Sequence, residues 1–445
     1  MSSETTMSPS GRVDSRHVME RHSLDSVTVA HVVQEDNMHK AWKQVKANKG
    51  VPGVDSMTIE EFPEYVFRHW EEIKTALLEG TYVPSPVKRV EIPKDSGGTR
   101  PLGIPTVLDR LIQQAISQVL TPIFDPYFSQ GSYGFRPNHS AHQAIRKVEK
   151  DIREGYRIAV KLDLEKFFDT VDHDILMNRV SRRIRDKGLL RLIGKYLRAG
   201  AVVNGRLTRT DKGVPQGGPL SPLLSNILLD DFDKKLERRK HRFARYADDS
   251  IILVKSQRAG VRVMAGVTRY LEKLKVRVNP DKSKVVPVQE SSFLGFTFKG
   301  KKLVATVKAV MTFKHRLKRL TGRSWGISMK DRYGRIHVYV TGWMNYFGIG
   351  MRYSDIMELD HWLRRRIRMC YLKQWGRARK RIGELIKRGA PKLQAILTGL
   401  SRKGYWHLAK TYATNSGLSK QYLEDQGLVS LRTLWIGIHY PATAR

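Results

Sequence analysis

The run Phe243-Ala-Arg-Tyr246-Ala247-Asp248-Asp249-Ser250-Ile251-Ile252-Leu253-Val254 places two adjacent carboxylates between two β-forming segments. Apolar and aromatic residues lead up to Tyr246 and four β-formers follow Ser250, so the pattern predicts two strands around a tight turn. Aspartate suits a turn because its carboxylate accepts hydrogen bonds from nearby backbone amides. Two such groups side by side at a hairpin tip repel one another unless a cation lies between them. A hard divalent ion such as Mg2+ prefers oxygen ligands of this kind. A solvated Asp-Asp turn is the plainer alternative, and this run alone leaves both open.

Neighbouring stretches supply further parts. Tyr156-Arg-Ile-Ala-Val160-Lys-Leu162-Asp163 reads as a buried strand ending in an acid, after which Leu164-Glu-Lys-Phe167-Phe168-Asp169 turns towards a helix. An acid in that position is ordinarily a helix cap. Beside the hairpin it brings a third carboxylate to the same point, so that Asp163, Asp248 and Asp249 could hold two divalent ions with substrate phosphates completing the coordination. In Gly213-Val-Pro215-Gln216-Gly217-Gly218-Pro219-Leu-Ser221-Pro222, the glycines after Gln216 let the backbone approach a ligand. An apolar helix follows from Leu223 to Leu236. Upstream, Val87 to Lys94 alternates as a strand, Asp95-Ser-Gly-Gly98 turns, and Thr99 to Pro105 returns. Lys94 and Arg100 therefore flank a tip from which both could reach a triphosphate, ordinary surface charge being the alternative. A helix is predicted from Asp109 to Leu120, closed by Pro122.

A chain of 445 residues with 80 Lys/Arg against 43 Asp/Glu carries a formal charge of +37, far beyond what solubility needs. The natural partner is a polyanion, and nucleic acid fits better than a membrane because no long apolar span exists. The excess is uneven, since 28 Lys/Arg but only 7 Asp/Glu fall from Ala305 onward. The single cysteine, Cys370, excludes an intramolecular disulfide framework and a cysteine-rich zinc module. Residues 1–25 have no apolar periodicity and no core of signal-peptide type. They read as a mobile leader, and the protein is expected to stay in the cytoplasm.

Phe243 to Asp249, Pro215 to Pro222 and Lys161 to Asp169 resemble the catalytic motifs of reverse transcriptases. The wider pattern is similar to the group II intron reverse transcriptases, the maturases. Asn48-Lys-Gly-Val-Pro-Gly-Val-Asp55, Ile104-Pro-Thr-Val-Leu-Asp-Arg-Leu-Ile-Gln-Gln114, Tyr133-Gly-Phe-Arg-Pro137 and Phe293-Leu294-Gly295-Phe296 belong to it, and the resemblance runs from about Val29 to about Tyr422. It implies an α/β right-hand polymerase fold with fingers and palm over 26–300. A helical thumb or maturase RNA-binding domain is implied over 301–400, with a short basic segment, a possible DNA-binding one, at 401–445.

Residue by residue, the resemblance makes Asp163, Asp248 and Asp249 the catalytic, metal-binding acids for two Mg2+ ions, Asp163 and Asp248 being the direct ligands of both. Phe168 becomes the aromatic that excludes a ribose 2′-hydroxyl, and Gln216 lines the nucleotide pocket. Lys94 and Arg100 hold the triphosphate, Lys282 assists the leaving pyrophosphate, and Phe293, Leu294, Gly295 and Phe296 form the primer grip. Core packing is the competing role for Phe168.

Beyond Phe298 the periodicity turns helical. Val310, Phe313, Leu317 and Leu320 make one apolar stripe. Trp362, Leu363, Ile367, Tyr371, Trp375, Ala378, Ile382 and Leu385 make a longer one, and cations surround both. Lys314, Lys318, Arg364, Arg365, Arg368, Lys380 and Arg381 are candidate RNA contacts, because A-form duplexes offer shape and phosphates rather than readable base edges. Thr341-Gly-Trp343-Met-Asn345-Tyr346-Phe347 resembles the maturase-specific motif. No paired cysteines and histidines of a nuclease domain occur, which resembles the endonuclease-less class C branch. The implied activity is RNA-directed DNA synthesis with binding of the parent intron RNA to assist its splicing and its reverse transcription during retrohoming. Partners would be intron RNA, an RNA template with a DNA primer, deoxynucleoside triphosphates and target DNA. A reverse transcriptase domesticated for defence or repair, and a non-catalytic splicing factor on the same fold, are the alternatives.

Overall fold

The computed structural model describes residues 27–93, 98–203, 205–208 and 211–441. The predicted leader and Lys94 with its turn, residues 94–97, lie outside the described residues. The chain divides after Val286 into two units, each with its own apolar core.

After a single helical turn at Val29–Val32, the first unit continues with helices α1 (Glu35–Ala47) and α2 (Phe62–Glu79). Strands β1 (Val87–Pro93) and β2 (Thr99–Ile104) pair antiparallel, as the alternation predicts. Helix α3 (Val107–Phe124) is capped by the Thr106 hydroxyl, which accepts from the Asp109 amide at 3.1 Å. It continues two residues beyond Pro122 rather than closing there. In the last turn a proline forfeits a single backbone bond, and the Thr121 hydroxyl donates to the Ser117 carbonyl at 2.6 Å beside it. Helix α4 (Ala141–Arg153) starts from a reciprocal Ser140/Gln143 cap. Strand β3 (Ile158–Leu162) follows, then α5 (His173–Val180), α6 (Lys187–Arg198) and the short pair β4 (Ala201–Val203) and β5 (Arg206–Thr208). Helix α7 (Ser221–Arg238), the strands β6 (Arg242–Tyr246) and β7 (Asp249–Val254), α8 (Gln257–Lys273) and β8 (Lys284–Pro287) complete the unit.

Two four-stranded sheets result, ordered β2-β1-β4-β5 and β6-β7-β3-β8. In the second, β3 lies between β7 and β8, and Ala159, Val160 and Leu162 are fully buried. That enclosure is why an apolar run, rather than a strict alternation, specifies this strand. Leu162 pairs with Ser250 and Tyr246 with Asp249. The register thus sets Asp163, the residue after Leu162, beside the start of β7.

The second unit begins with a hairpin of β9 (Phe296–Lys299) and β10 (Lys302–Ala305) and is otherwise helical: α9 (Val307–Leu320), α10 (Met329–Phe347), α11 (Tyr353–Gln374), α12 (Ala378–Lys387), α13 (Lys392–Leu400), three short helices and α14 (Leu431–His439). Its boundary lies at Pro287, ahead of the expected 300, because Phe296 packs against Tyr346 and Phe347 of α10 with ring centroids 5.7 and 5.3 Å apart. The long apolar stripe is divided between α11 and α12, which are separated at Trp375-Gly376-Arg377. Residues 401–441 are no separate tail, since Leu408, Leu418, Leu423 and Leu431 are fully buried in the same core. Among the described residues no helix is long and apolar enough to cross a membrane.

Candidate active site

A cleft of about 750 Å³ opens in the first unit. Its walls come from β1 and β2, from the segment after β3, from the loop before α7 and from the tip of the β6–β7 hairpin. Asp163, Asp248, Phe168, Gln216, Arg100 and Lys282 all line it. Six of the candidates named from sequence are thereby brought to one place, although they span almost two hundred residues of chain.

The acids arrive from adjacent strands. Asp163 follows β3, and its backbone is pinned from both sides. Its amide meets the Ser283 Oγ at 3.0 Å, and its carbonyl accepts from the Asn279 amide at 2.8 Å. The same 279–283 segment delivers Lys282, whose Nζ lies 3.8 Å from Asp163 Oδ1. Asp248 sits at the hairpin tip. Asp249 is the first residue of β7, half-buried and cross-strand from Tyr246, and it does not line the cleft. Among the described residues no three acid, imidazole or thiolate groups gather as a metal cage. The expected trio is therefore two carboxylates in the cleft with the third set back in the strand. Two half-buried carboxylates lining a space of nucleotide size still fit Mg2+, which is commonly held by one or two carboxylates plus substrate phosphates rather than by an all-protein cage.

Opposite the acids, β2 and the loop before α7 are joined. The Gly103 amide donates to the Gln216 carbonyl at 2.6 Å, and the Arg100 Nε donates to Gln216 Oε1 at 2.7 Å. Gly217 has φ 122°, and a Cβ there would fall 2.5 Å from the Gly103 carbonyl oxygen, so the Gln-Gly pair is a backbone-contact requirement. The other end of the loop is held by His173, whose Nε2–H donates to the Gly213 carbonyl at 2.7 Å. Because a carbonyl only accepts, this bond fixes the tautomer. Phe168 is 9% exposed, touches the cleft with that remainder and packs edge-on against Phe167 at 5.2 Å. Its buried position serves packing and cleft lining together.

Several residues that bear on the site were not legible as such. The buried Arg245, 1% exposed, donates to both oxygens of buried Asp233 at 2.8 and 2.9 Å, to Asn226 Oδ1 at 3.0 Å, to Ser132 Oγ at 2.7 Å and to the Ala247 carbonyl at 2.9 Å. Burial pushes the Asp233 carboxyl up, while the Arg245 charge and hydrogen bonds oppose that shift. The signal available beforehand was a lone arginine inside the otherwise apolar Phe243-Ala-Arg-Tyr, together with Asn226 and Asp233 seven residues apart in an apolar helix. Asp109 is a second buried hub. It accepts from the hydroxyls of Tyr82, Thr106 and Tyr196 and from the Ser85 amide, and burial pushes its carboxyl up.

In the second unit the cation assignments need correction. Arg364 is buried and ion-paired to Asp360, whose other oxygen accepts from the Leu431 amide at 3.0 Å. Arg368 is buried and donates to the Leu418 carbonyl at 2.9 Å. Burial, followed by the Arg364 charge, lowers its guanidinium to about 10, which leaves it charged at neutral pH. Arg365 lies over the Trp406 ring at 3.8 Å and donates to the Trp406 carbonyl, and Arg381 donates to the Gly399 carbonyl at 3.0 Å. Arg365, Arg368 and Arg381 staple the 399–418 segment to α11 and α12, while Arg364 holds Asp360 for the Leu431 amide. Lys318 and Lys380 are exposed, and Lys314 is half-buried and 3.7 Å from Glu358. Phe293-Leu294-Gly295-Phe296 is a tight turn with φ 51° and 80° at its central residues, of the type I′ pattern. The two phenylalanines, 2% and 0% exposed, are core residues, and only Leu294 and Gly295 reach the surface.

Comparison with known proteins gives the following. A family model for reverse transcriptase (RNA-dependent DNA polymerase) matches residues 92–298, and one for the group II intron maturase-specific domain matches residues 310–389. Protein YkfC of Escherichia coli (strain K12) is 35% identical over 314 residues, which are 61% of this chain and 81% of that protein. The group II intron-encoded protein LtrA of Lactococcus lactis subsp. cremoris is 37% identical over 224 residues, 50% of this chain and 37% of LtrA. A putative COX1/OXI3 intron 2 protein of Saccharomyces cerevisiae is 38% identical over 203 residues, 45% of this chain and 23% of that protein. The chain therefore spans most of YkfC and well under half of the two intron-encoded relatives.

Proposed function

The chain belongs to the group II intron reverse transcriptases, with a reverse transcriptase domain followed by a maturase-specific domain, and on that premise we propose that it copies RNA into DNA in the cleft that Asp163 and Asp248 line. The observation that carries the reading is the convergence on one cavity of Asp163 and Asp248, of Arg100 and Lys282, of the buried Phe168 and of the glycine-backed loop at Gln216. Phosphoryl transfer asks the protein for positioning and charge rather than covalent chemistry, and these are groups that position and neutralise.

In this reading Arg100 and Lys282 hold the triphosphate from opposite sides. The Gln216–Gly217 backbone presents a close, uncluttered floor for the incoming nucleotide. Phe168 occupies the space into which a 2′-hydroxyl would project, so deoxyribose is admitted and ribose is rejected on size. Asp163 and Asp248 would hold two Mg2+ ions, with Asp249 supporting from β7. When bound, those ions supply a lowered pKa for the primer 3′-hydroxyl and neutralisation of the leaving pyrophosphate. Lys282, already beside Asp163, holds positive charge where the leaving group departs.

The second unit is proposed to bind the parent intron RNA and the template–primer duplex through its exposed cations, Lys318 and Lys380 among them. Splicing assistance, retrohoming and engagement of target DNA follow from the same reading. The test is primer extension on an RNA template with Mg2+, using the parent protein and the Asp163→Ala and Asp248→Ala variants. Extension by the parent, with a loss of at least about 1,000-fold in either variant and an unchanged melting temperature, is expected. A parent that extends nothing, or variants that extend normally, overturns the assignment.

A further inference from the structure

The tip that carries Asp248 is a two-residue hairpin loop, Ala247-Asp248, closed by the Tyr246–Asp249 pair. Of its two central residues only Ala247 has a positive φ, 58°. That is the pattern of a type II′ turn, whose first central position ordinarily belongs to glycine. An L-residue with a side chain is strained there, and such strain persists only where the surroundings over-determine the conformation.

The surroundings do so through one side chain. Arg245, two residues earlier on β6, reaches forward and donates its Nη1 to the Ala247 carbonyl at 2.9 Å. Its other donors are consumed by Asp233, Asn226 and Ser132, all of them buried, so the guanidinium cannot swing away without leaving those groups unmatched. The lock extends outward. The Arg245 amide donates to the Gly131 carbonyl at 2.8 Å, and its carbonyl accepts from the Tyr133 amide at 2.9 Å. This 129–133 segment is itself held by Arg136, whose Nη1 donates to the Ser129 and Ser132 carbonyls at 2.7 and 2.8 Å and whose Nε pairs with Asp125. Behind the turn, a Cβ on Gly134 would fall 2.3 Å from the Ala247 nitrogen. Asn226 closes the circuit by donating to the Gly134 carbonyl at 2.8 Å.

We propose that Arg245 is a positioning residue for DNA synthesis: it holds Ala247 in its left-handed conformation and thereby aims the Asp248 carboxylate into the cleft. Arg245 never touches substrate, and its charge is spent on Asp233. Its contribution is therefore geometric and should be felt in the rate of the chemical step rather than in binding. The inference rests on the polymerase reading above, and the two fail separately. A parent protein that extends no primer removes the reading, whereas an active parent with an unaffected Arg245 variant removes only this role.

The test is a double-mutant cycle of Arg245→Lys with Ala247→Gly, read as single-nucleotide incorporation rate, nucleotide KM, primer–template Kd and melting temperature. Lysine keeps the charge opposite Asp233 but lacks the fork that reaches Ala247. Glycine adopts φ 58° without strain and so no longer needs the lock. Expected is a fall in maximal rate of about 100-fold for Arg245→Lys, with nucleotide KM and primer–template Kd within about twofold, as for a misplacement of about 1 Å. Set against the Ala247→Gly single variant, the added Arg245→Lys change should cost less than about tenfold. Equal losses in the two backgrounds, or a parental rate in Arg245→Lys, overturn the proposal. If Arg245→Lys does not fold, Ser132→Ala serves, because it removes one bond and leaves the Asp233 pair intact. A several-fold rate loss that Ala247→Gly suppresses supports the role, and a loss it does not suppress overturns it.

Discussion

Replacing Arg364 with alanine separates a structural cation from an RNA contact. Arg364 and Asp360 lie one helical turn apart on α11, with side chains 10% and 3% exposed. Asp360 also receives the Leu431 amide at 3.0 Å, so it ties α14 to α11. Without the guanidinium, this carboxylate stays buried with a single backbone donor. Breaking one partner of a buried pair costs about 3–5 kcal/mol, because the remaining charge is uncompensated. For a unit of this size 1 kcal/mol shifts Tm by about 2–4 °C, so the second unit of R364A should melt about 6–20 °C lower. The assay is calorimetry of the full chain alongside structured-RNA binding over a salt series below the melting point. R364A should keep the parental slope of log K against log salt. A Lys318→Ala/Lys380→Ala variant should melt near the parent but lose about 0.7–0.9 of slope per phosphate contact removed. An R364A protein that melts within about 2 °C of the parent and loses slope would refute the burial argument, since the arginine would then face RNA.

Three further outcomes are expected. Phe168→Val should lower discrimination against ribonucleotides by about 10–100-fold in kcat/KM, equivalent to about 1.4–2.8 kcal/mol of steric exclusion. Steady-state kinetics with paired deoxy- and ribonucleotides checks this, and unchanged discrimination with activity retained leaves Phe168 a packing residue. Gly134→Ala should depress incorporation by about 100-fold, because the added Cβ would fall 2.3 Å from the Ala247 nitrogen and push the turn. Its readout is the incorporation rate at parental primer–template affinity. Finally, the Lys275 Nζ lies 2.6 Å from Asp172 Oδ2, and this hydrogen bond, foremost among the causes, holds the Asp172 carboxyl below its ordinary range. The stabilisation is therefore present above the ordinary carboxylate pKa and is lost as pH falls through the depressed one. Lys275→Met should be less stable than the parent at pH 7 and converge with it in acid, as followed by denaturant titration at each pH.

The types of group in the cleft were legible in the linear sequence because each belongs to a local signal. The hairpin acids sit between two β-forming runs, Asp163 ends an apolar strand, and Gln216 precedes two glycines. Register then does the rest, since pairing Leu162 with Ser250 and Tyr246 with Asp249 leaves little freedom in where Asp163 and the turn can be. Asp249 behaved otherwise, because membership of a strand, rather than proximity in sequence, set it back from the cleft.

What a cation faces depends on what packs over it, and a helical period cannot say that. The repeat in α11 identifies one apolar face. The remaining faces read as solvated until the 401–441 segment folds over them, takes Arg365 and Arg368 as internal donors and gives its Leu431 amide to Asp360, the partner of Arg364. Arg245 is hidden for the same reason: its partners come from Ser132, Asn226, Asp233 and Ala247, on three different elements. Sequence by itself thus determined the polymerase motifs, the order of sheet and helix and the sign of the charge, all set by neighbours along the chain. Only the tertiary structure decided which of the many cations are fasteners. A guanidinium's role is fixed by the carbonyls and carboxylates that reach it, and those are brought together only by packing between distant elements.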